Sequence, residues 1–466
     1  MAIVTGGKHF GQYTYEHWFD NDYREHSPSD LRDRLAALGI GIPDILLPRN
    51  GIDLSKWAVV ACDQFTQDRD YWAKAEQTVG AAESSLRMIF PEVYLNDEGD
   101  VKTQRIQKIR ASMNSYLQDS VFAPPRRCCV YLERSTSLHP KRRGLVLLID
   151  LERYDWAPES RPLIRSTEGT VKERLPSRIE IRSGAPLELP HILILMDDEE
   201  DRILPALGEI ARKNSPLYET PLMMNSGSVT GWALDTEAAL TTLAEELENL
   251  VRRAFSRYGM PAESAPEAKS RDSLKEEWPF LFAVGDGNHS LATAKAVWEQ
   301  YKKENAGEAD LEHHPARWAM VELENLYDPG ISFEPIHRVV FGTEPAELMD
   351  YLSVLKDKKC RLDPSNERII RIENLSPSIA TAGIQPLLDE YVKQKNRSID
   401  YIHGENELLR LVSDPKRRPV GLIFPPVQKE GLFKTVAQTG PLPRKSFSMG
   451  EAEEKRFYLE CRRLFI

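Results

Sequence analysis

Trp278-Pro279-Phe280-Leu281-Phe282-Ala283-Val284-Gly285-Asp286-Gly287-Asn288-His289-Ser290-Leu291-Ala292-Thr293-Ala294-Lys295-Ala296-Val297-Trp298 is the stretch that decides the fold. Its apolar run is short and bounded by Pro and Gly, which favours a buried strand over a helix. Gly285 and Gly287 permit backbone angles or close approaches that a side chain would forbid. Leu291, Ala294 or Lys295, Trp298 and Tyr301 then recur near helical spacing. The pattern predicts strand, tight turn and helix, with Asp286, Asn288, His289 and Ser290 crowded at the helix N-terminus.

A helix N-terminus offers unpaired N–H groups and a partial positive charge, so the turn suits an anion. A carboxylate, an imidazole and a hydroxyl beside it can handle protons on a phosphate or carboxylate ester. The same residues also read as an ordinary cap: Asn288 or Ser290 caps, Asp286 complements the dipole and His289 packs. No Gly-Lys-Ser/Thr follows, so this is not a Walker loop, and the third glycine of the dinucleotide fingerprint is missing.

Outward from this turn, Gly259 to Asp272 is rich in Pro, Ala and Ser and reads as a mobile loop, either a lid or a plain surface insertion. Before it, Val229 to Leu234 reads as a strand and Thr236 to Tyr258 as an amphipathic helix with Leu240, Leu243, Leu247 and Val251 in its stripe. His191 to Met196 is an apolar strand ending in five acids, Asp197 to Asp201. Asp197 and Asp198 are candidate Mg²⁺ ligands; the alternative is the acidic first turn of a surface helix. Arg165, Thr167, Glu168 and Arg174 form a block that can clamp a phosphate or carboxylate through forked guanidinium bonds, or lie as a solvated basic loop.

Arg127 to Glu133 and Arg143 to Leu151 predict one hairpin, and Trp318 to Glu324 with Phe333 to Val340 a second. His337 and Arg338 lie in that last strand, facing an anion or hydrogen-bonded within the fold. Asp63 follows a strand at Trp57 to Cys62, a place where chemistry or a simple capped turn can sit. Arg444, Lys445 and Ser446, between prolines and a charged helix, are a compact donor group or an exposed basic turn.

The chain has 466 residues, enough for two or three domains at about 150 residues each. We expect an N-terminal arm over 1–42, an α/β region over 43–258, the Gly-Asp-Gly-Asn-His region over 259–342 and a C-terminal α/β region over 343–466. The fold class is α/β or α+β, with mixed sheets flanked by helices. A net charge of −11 argues against a dedicated nucleic-acid binder but not against a local anion site. No apolar run approaches the ~20 residues that cross a bilayer, and no secretory signal is visible at the start. Five cysteines without C-x-x-C spacing give neither a disulfide framework nor a zinc site, which points to a soluble protein of a reducing cytoplasm.

Taken in order, the Arg165-Ser166-Thr167-Glu168 block, Asp197-Asp198, the Gly-Asp-Gly-Asn-His-Ser turn, Pro335-Ile336-His337-Arg338, Tyr401-Ile402-His403-Gly404 and Pro443-Arg444-Lys445-Ser446 resemble the bacterial and archaeal family known as domain of unknown function 1015. The resemblance runs from about residue 40 to the end. Many members carry Asp-Gly-His-His-Arg in the turn; here Asn288 and Ser290 stand at the first His and the Arg. That element is similar to the turn of free serine kinases in the ParB/sulfiredoxin superfamily.

The resemblance implies a ParB/sulfiredoxin-like subdomain and phosphoryl transfer or phosphate-ester hydrolysis on serine, O-phosphoserine or a similar small phosphorylated metabolite. In that reading Asp286 or His289 moves the proton, while Gly285, Gly287, Asn288, Ser290 and Lys295 lie around the phosphate. Arg165, Arg174, Arg444 and Lys445 neutralise charge, with Thr167, Glu168, His337, Arg338 and Ser446 as further contacts. The candidate cofactors are Mg²⁺ and an adenine nucleotide. The rival reading is a non-catalytic nucleotide- or metabolite-binding regulator, suggested by the two replaced residues of the turn.

Overall fold

The focal stretch folds as strand Phe282–Asp286 and helix Asn288–Glu304, joined by Gly287 alone. The computed structural model describes residues 30–66, 68–97, 100–258, 279–307, 310–353, 360–363, 366–373, 377–414, 419–426 and 428–465. The segment 259–272 and most of the 1–42 arm lie outside the described residues; within that arm a short helix, Leu31–Ala37, is present.

Phe282–Asp286 pairs in parallel with Ile164–Ser166 and antiparallel with Leu193–Met196. Phe282 and Val284 join one hydrophobic cluster and Ala283 another, so the strand is buried on both faces. A continuous apolar run rather than an alternating one is what two covered faces require. Each such large side chain contributes about 1.5–3 kcal/mol by leaving water. A Cβ on Gly285 would lie 2.3 Å from Met449 Sδ and 2.9 Å from Leu195 Cγ, so the close approach of the C-terminal segment requires glycine there.

The sheet that holds this strand is mixed and has ten strands. Its order is Tyr218–Pro221, Ser228–Leu234, Cys129–Ser135, Arg142–Asp150, Trp318–Asn325, Leu193–Met196, Phe282–Asp286, Ile164–Ser166 and Tyr154–Asp155, with Ile40–Gly41 added beside Arg142–Asp150. The helices Ile203–Ala211, Glu237–Tyr258 and Asn288–Glu304 supply core residues to its apolar face, among them Leu207, Leu247, Leu291 and Trp298. A second sheet of six strands runs Cys360–Asp363, Asn366–Ile372, Val420–Ile423, Phe333–Phe341 and Ser398–His403, with Phe447–Met449 at the start of Phe333–Phe341. Mixed sheets flanked by helices make this an α/β protein. Among the described residues no helix is long and apolar enough to cross a membrane.

The first expected hairpin forms, with Cys129–Ser135 antiparallel to Arg142–Asp150. The second does not: Trp318–Asn325 lies in the large sheet and Phe333–Phe341 in the small one. The intervening turn is held by the large sheet's own polar groups. Asn325 Nδ2 donates to the Asp198 carbonyl and to Asp201, and Arg143 Nε donates to Asp328. These bonds direct the chain away from its preceding strand.

From Phe447 the chain crosses back over the large sheet. Phe457–Tyr458 pairs with Val59–Val60, and Arg462–Arg463 with Leu187–Glu188. Buried ion pairs pin it: Arg456 to Glu322 and Glu460, and Arg462 to Glu188. Removing one partner of such a pair leaves an uncompensated buried charge, so the crossing is rigidly specified.

Candidate functional site

Gly287 adopts φ +82° and is the N-cap of the focal helix; no side chain caps it. The expected cap by Asn288 or Ser290 is therefore absent. Asn288 is the first helical residue and its buried Oδ1 has no partner, while Ser290 Oγ lies 2.7 Å from His191 Nε2. A helix start whose donors no side chain satisfies keeps its N–H groups for something else.

Asp286 Oδ1 accepts the Gly287 N–H at 3.0 Å, and Oδ2 pairs with Lys455 Nζ at 2.9 Å. Burial alone would raise the Asp286 pKa; Lys455 and the Gly287 N–H outweigh it and hold the carboxyl below the usual carboxylate range. His289 Nε2 accepts the Val171 N–H at 3.3 Å, which leaves the ring proton on Nδ1. Burial, then Arg178, Arg174, Arg444 and Lys445, depress its pKa to about 4. His289 is thus a neutral donor at ordinary pH.

Two distant segments complete the site. Thr167 Oγ1 donates to the Val284 carbonyl at 2.6 Å, fixing the 165–170 segment beside the focal strand. That segment then pairs with the C-terminal one: the Leu442 N–H donates to the Thr167 carbonyl at 2.7 Å, and the Gly169 N–H to the Leu442 carbonyl at 3.1 Å. The pairing delivers Arg444 and Lys445, the latter in the left-handed region at φ +63°. Arg338 Nη2 holds that turn through the Lys445 carbonyl at 2.9 Å.

The charges are unbalanced. Arg178 is satisfied by a forked bond to Glu92 at 2.8 and 2.5 Å. Arg174 and Arg444, by contrast, make no ion pair or side-chain hydrogen bond with the described residues. Arg174 is exposed to solvent, yet partial desolvation, then the nearby Arg444 and Arg178, lower its pKa. Burial, with Arg174 and Arg444, also lowers that of Lys445, and Glu168 and Asp286 oppose them. Glu168 is itself pushed up by burial, against the pull of Lys445 and of the N–H groups of Lys445, Ser446 and Phe447. Buried Glu168 Oε1 and Thr170 Oγ1 lack partners, as Asn288 Oδ1 does. Orphaned buried polar atoms are uncommon, so three of them near two guanidiniums without an ion pair make this turn the candidate site.

Several expected contacts are spent elsewhere. Lys295, two turns along the helix, pairs with Glu299 at 2.8 Å and faces Glu152 at 3.8 Å. Arg165 Nε donates to the Pro162 carbonyl, and its guanidinium lies 4.6 Å from the Phe280 ring centre. His337 is buried and its Nδ1 accepts the Phe424 N–H at 3.2 Å. Ser446 is buried and its hydroxyl closes the turn onto the Pro443 carbonyl. Arg338 is buried between Tyr401 and Phe424 and works on the backbone of the turn.

Asp197 and Asp198 lie at the far end of the same strand pair. Met196 registers with Phe282 while Leu193 registers with Asp286, which separates the two ends by about 13 Å at 3.3 Å per residue. Asp197 accepts from the Tyr327 and Tyr258 hydroxyls and from Arg257 Nη1. Asp198 accepts the N–H groups of Arg202 and Ile203 and pairs with Arg253 at 3.0 Å. These oxygens are occupied by donors, and among the described residues no group of three or more His, Cys, Asp or Glu is placed to hold a metal. The two acids do not fit Mg²⁺; they cap a helix and anchor arginines.

Lys455, His191 and Tyr458 also reach the site, without a sequence motif to announce them. Lys455 sits among Glu451, Glu453, Glu454 and Arg456, where nothing local distinguishes it. His191 after Pro190, at the entry of an apolar strand, was the one visible cue.

Comparison with solved structures gives distant likenesses. A conserved hypothetical protein from Pyrococcus furiosus is 12% identical, covers 69% of this chain and 97% of its own, with a TM-score of 0.32. Free serine kinase in complex with AMP is 9% identical, covers 67% and 90%, with a TM-score of 0.33, and a substituted form of it in complex with ADP gives 11%, 67%, 90% and 0.34. At this distance the likeness says nothing of what this chain binds. No curated protein matches the chain. The sequence profile described as "Protein of unknown function (DUF1015)" matches residues 46–433, most of the chain, and the chain therefore belongs to that family.

Proposed function

We propose that the Asp286–His289 turn binds the phosphate of a small phosphorylated metabolite and catalyses phosphoryl transfer or phosphate-ester hydrolysis. The observation that carries this reading is the pair of guanidiniums, Arg174 and Arg444, left without acid partners beside His289 in a chain of net charge −11. A divalent oxyanion relieves that repulsion and accepts forked hydrogen bonds from both. The N–H groups at Asn288 and the Lys445 ammonium supply further donors to charge that builds in the transition state.

In this reading His289 donates from Nδ1 and does not take the proton, because its Nε2 is engaged by Val171. Asp286, kept ionised by Lys455, is the group that accepts a proton from the attacking hydroxyl or water. Serine or O-phosphoserine is the substrate proposed, on the similarity of the turn to that of free serine kinases. The cations also suit the phosphates of an adenine nucleotide.

The test is phosphorus NMR on the protein with O-phosphoserine and Mg²⁺, with and without AMP or ADP, beside Asp286→Asn. Inorganic phosphate formed only by the parent marks a phosphatase, and a nucleotide-dependent product marks a kinase run in reverse. Equal turnover in parent and variant removes Asp286 from the chemistry. The second reading, a metabolite-binding regulator, is favoured by Asn288 and Ser290 standing where many members carry His and Arg. It predicts a thermal shift with these ligands and no product.

A further inference from the structure

Ser290 takes part in a chain of hydrogen bonds that leads into the site from Cys62, whose carbonyl accepts the N–H of Glu92, the partner of Arg178. The Cys62 N–H donates to Tyr458 Oη at 3.1 Å. Tyr458 Oη lies 2.9 Å from His191 Nδ1, with the rings edge to face at 5.7 Å. His191 Nε2 lies 2.7 Å from Ser290 Oγ. Tyr458 is buried at 1% exposure, so each polar atom of this chain must be matched within the fold.

Matching the donors fixes the direction. The Tyr458 oxygen already accepts from a backbone N–H, so its own proton is best placed on a bare His191 Nδ1. A neutral imidazole with Nδ1 accepting carries its proton on Nε2. That proton then points at Ser290 Oγ, which accepts it. The serine hydroxyl hydrogen, the last in the series, is left over and free to turn towards the helix start, where Asn288 Oδ1 and Thr170 Oγ1 are unpartnered. The reverse order makes Nε2 the acceptor from Ser290. It needs the Tyr458 oxygen to accept two donors and to give its own proton to a weakly accepting thiol, Cys62.

We propose that His191 and Tyr458 are positioning residues that orient the Ser290 hydroxyl hydrogen as a donor to an acceptor-only ligand oxygen. That oxygen is the unprotonated oxygen of a phosphate or similar oxyanion. The inference rests on the anion-site reading given above and adds a preference: an unprotonated ligand oxygen takes the oriented Ser290 hydrogen directly, whereas a ligand hydroxyl has first to turn it away. No proton leaves Ser290, and no bond to its oxygen forms.

Two measurements on the full chain test this. Side-chain ¹⁵N–¹H correlation spectra of histidine, with the His191 signals assigned by their loss in His191→Gln, read the tautomer directly. Protonation at Nε2 with a bare Nδ1 is expected, together with loss of that preference in Tyr458→Phe. Protonation at Nδ1 in the parent overturns the relay and makes His191 a base towards Ser290.

Calorimetry with inorganic phosphate reads the ligand half. Ser290→Ala should bind about tenfold more weakly, the usual worth of a hydrogen bond to a charged group. His191→Gln should stay within about twofold of the parent, because its amide N–H can stand in for Nε2–H, whereas His191→Ala should fall with Ser290→Ala. Unchanged affinity in a Ser290→Ala protein whose thermal unfolding matches the parent overturns the donor role. A parent that binds no phosphate overturns the anion-site reading and the ligand half with it, while the tautomer still decides the relay.

Discussion

The strand pair Leu193–Met196 and Phe282–Asp286 ends in carboxylates both ways, and the two ends are finished differently. At the Asp197–Asp198 end every acid has its donors: two arginines, two tyrosines and a helix start. At the Asp286 end the count is reversed. Lys455 answers Asp286, but Arg174 and Arg444 have no acid, His289 is held neutral among cations, and three buried oxygens have no partner. Folding satisfies the first end internally and leaves the second with unmatched groups. An acidic run is the louder motif in sequence, yet a binding place is marked by groups left unmatched, not by their number.

The largest expected effect separates the ends by ligand. Arg174→Ala with Arg444→Ala should weaken phosphate binding about a hundredfold or more, two charge-assisted contacts being lost, with no drop in melting temperature. A marked fall in stability instead would mean that these arginines are structural, and the contrast fails.

Next is the pH dependence of the Asp286 end. His289 titrates near 4 when folded against about 6.5 unfolded, so the unfolded chain binds the proton first. Stability from this residue is full above about pH 6.5 and is lost as pH falls towards 4, by on the order of 3 kcal/mol. His289→Gln should flatten that limb in urea titrations, and saturating phosphate should shrink it in the parent. An identical limb in parent and variant would show that the cations do not bear on His289.

At the other end, Asp198→Ala removes a cap of helix Ile203–Ala211 and strands Arg253. A loss of about 2–3 kcal/mol is expected, with phosphate affinity unchanged. Weakened phosphate binding would couple the two ends and break the comparison. The smallest effect is Arg257→Ala, an about one-third exposed partner of Asp197 and Glu199, which should cost about 0.5 kcal/mol at low salt and less at high salt.

The fold's central strand, turn and helix were legible because two covered faces and a positive-φ glycine leave local marks: an unbroken apolar run and Gly-Asp-Gly. Arg174, Arg444, Asp286 and His289 could be proposed from sequence for a related reason, since each lies in a short local cluster of polar or charged residues. The rest depends on long-range contact. Ser446 and His337 have the right chemistry, but packing spends their polar atoms on the Pro443 carbonyl and the Phe424 N–H. Lys455 has no local mark, since only the crossing of the C-terminal segment brings it to Asp286. The missing second hairpin fails for the same reason: Asn325 and Asp328 are claimed by Asp198, Asp201 and Arg143, far away in sequence.

The C-terminal crossing also sets an order in time. Lys455 leaves the ribosome about 170 residues after Asp286, which at 5–20 residues per second is roughly 10–30 s. Through that interval the nascent strand carries its carboxylate without its ammonium, and the ring of cations lacks Arg444 and Lys445. A product terminated between Asn325 and Lys455 holds the strands of the large sheet but lacks the lysine that pairs with Asp286, and so offers quality control an unpaired aspartate in that sheet.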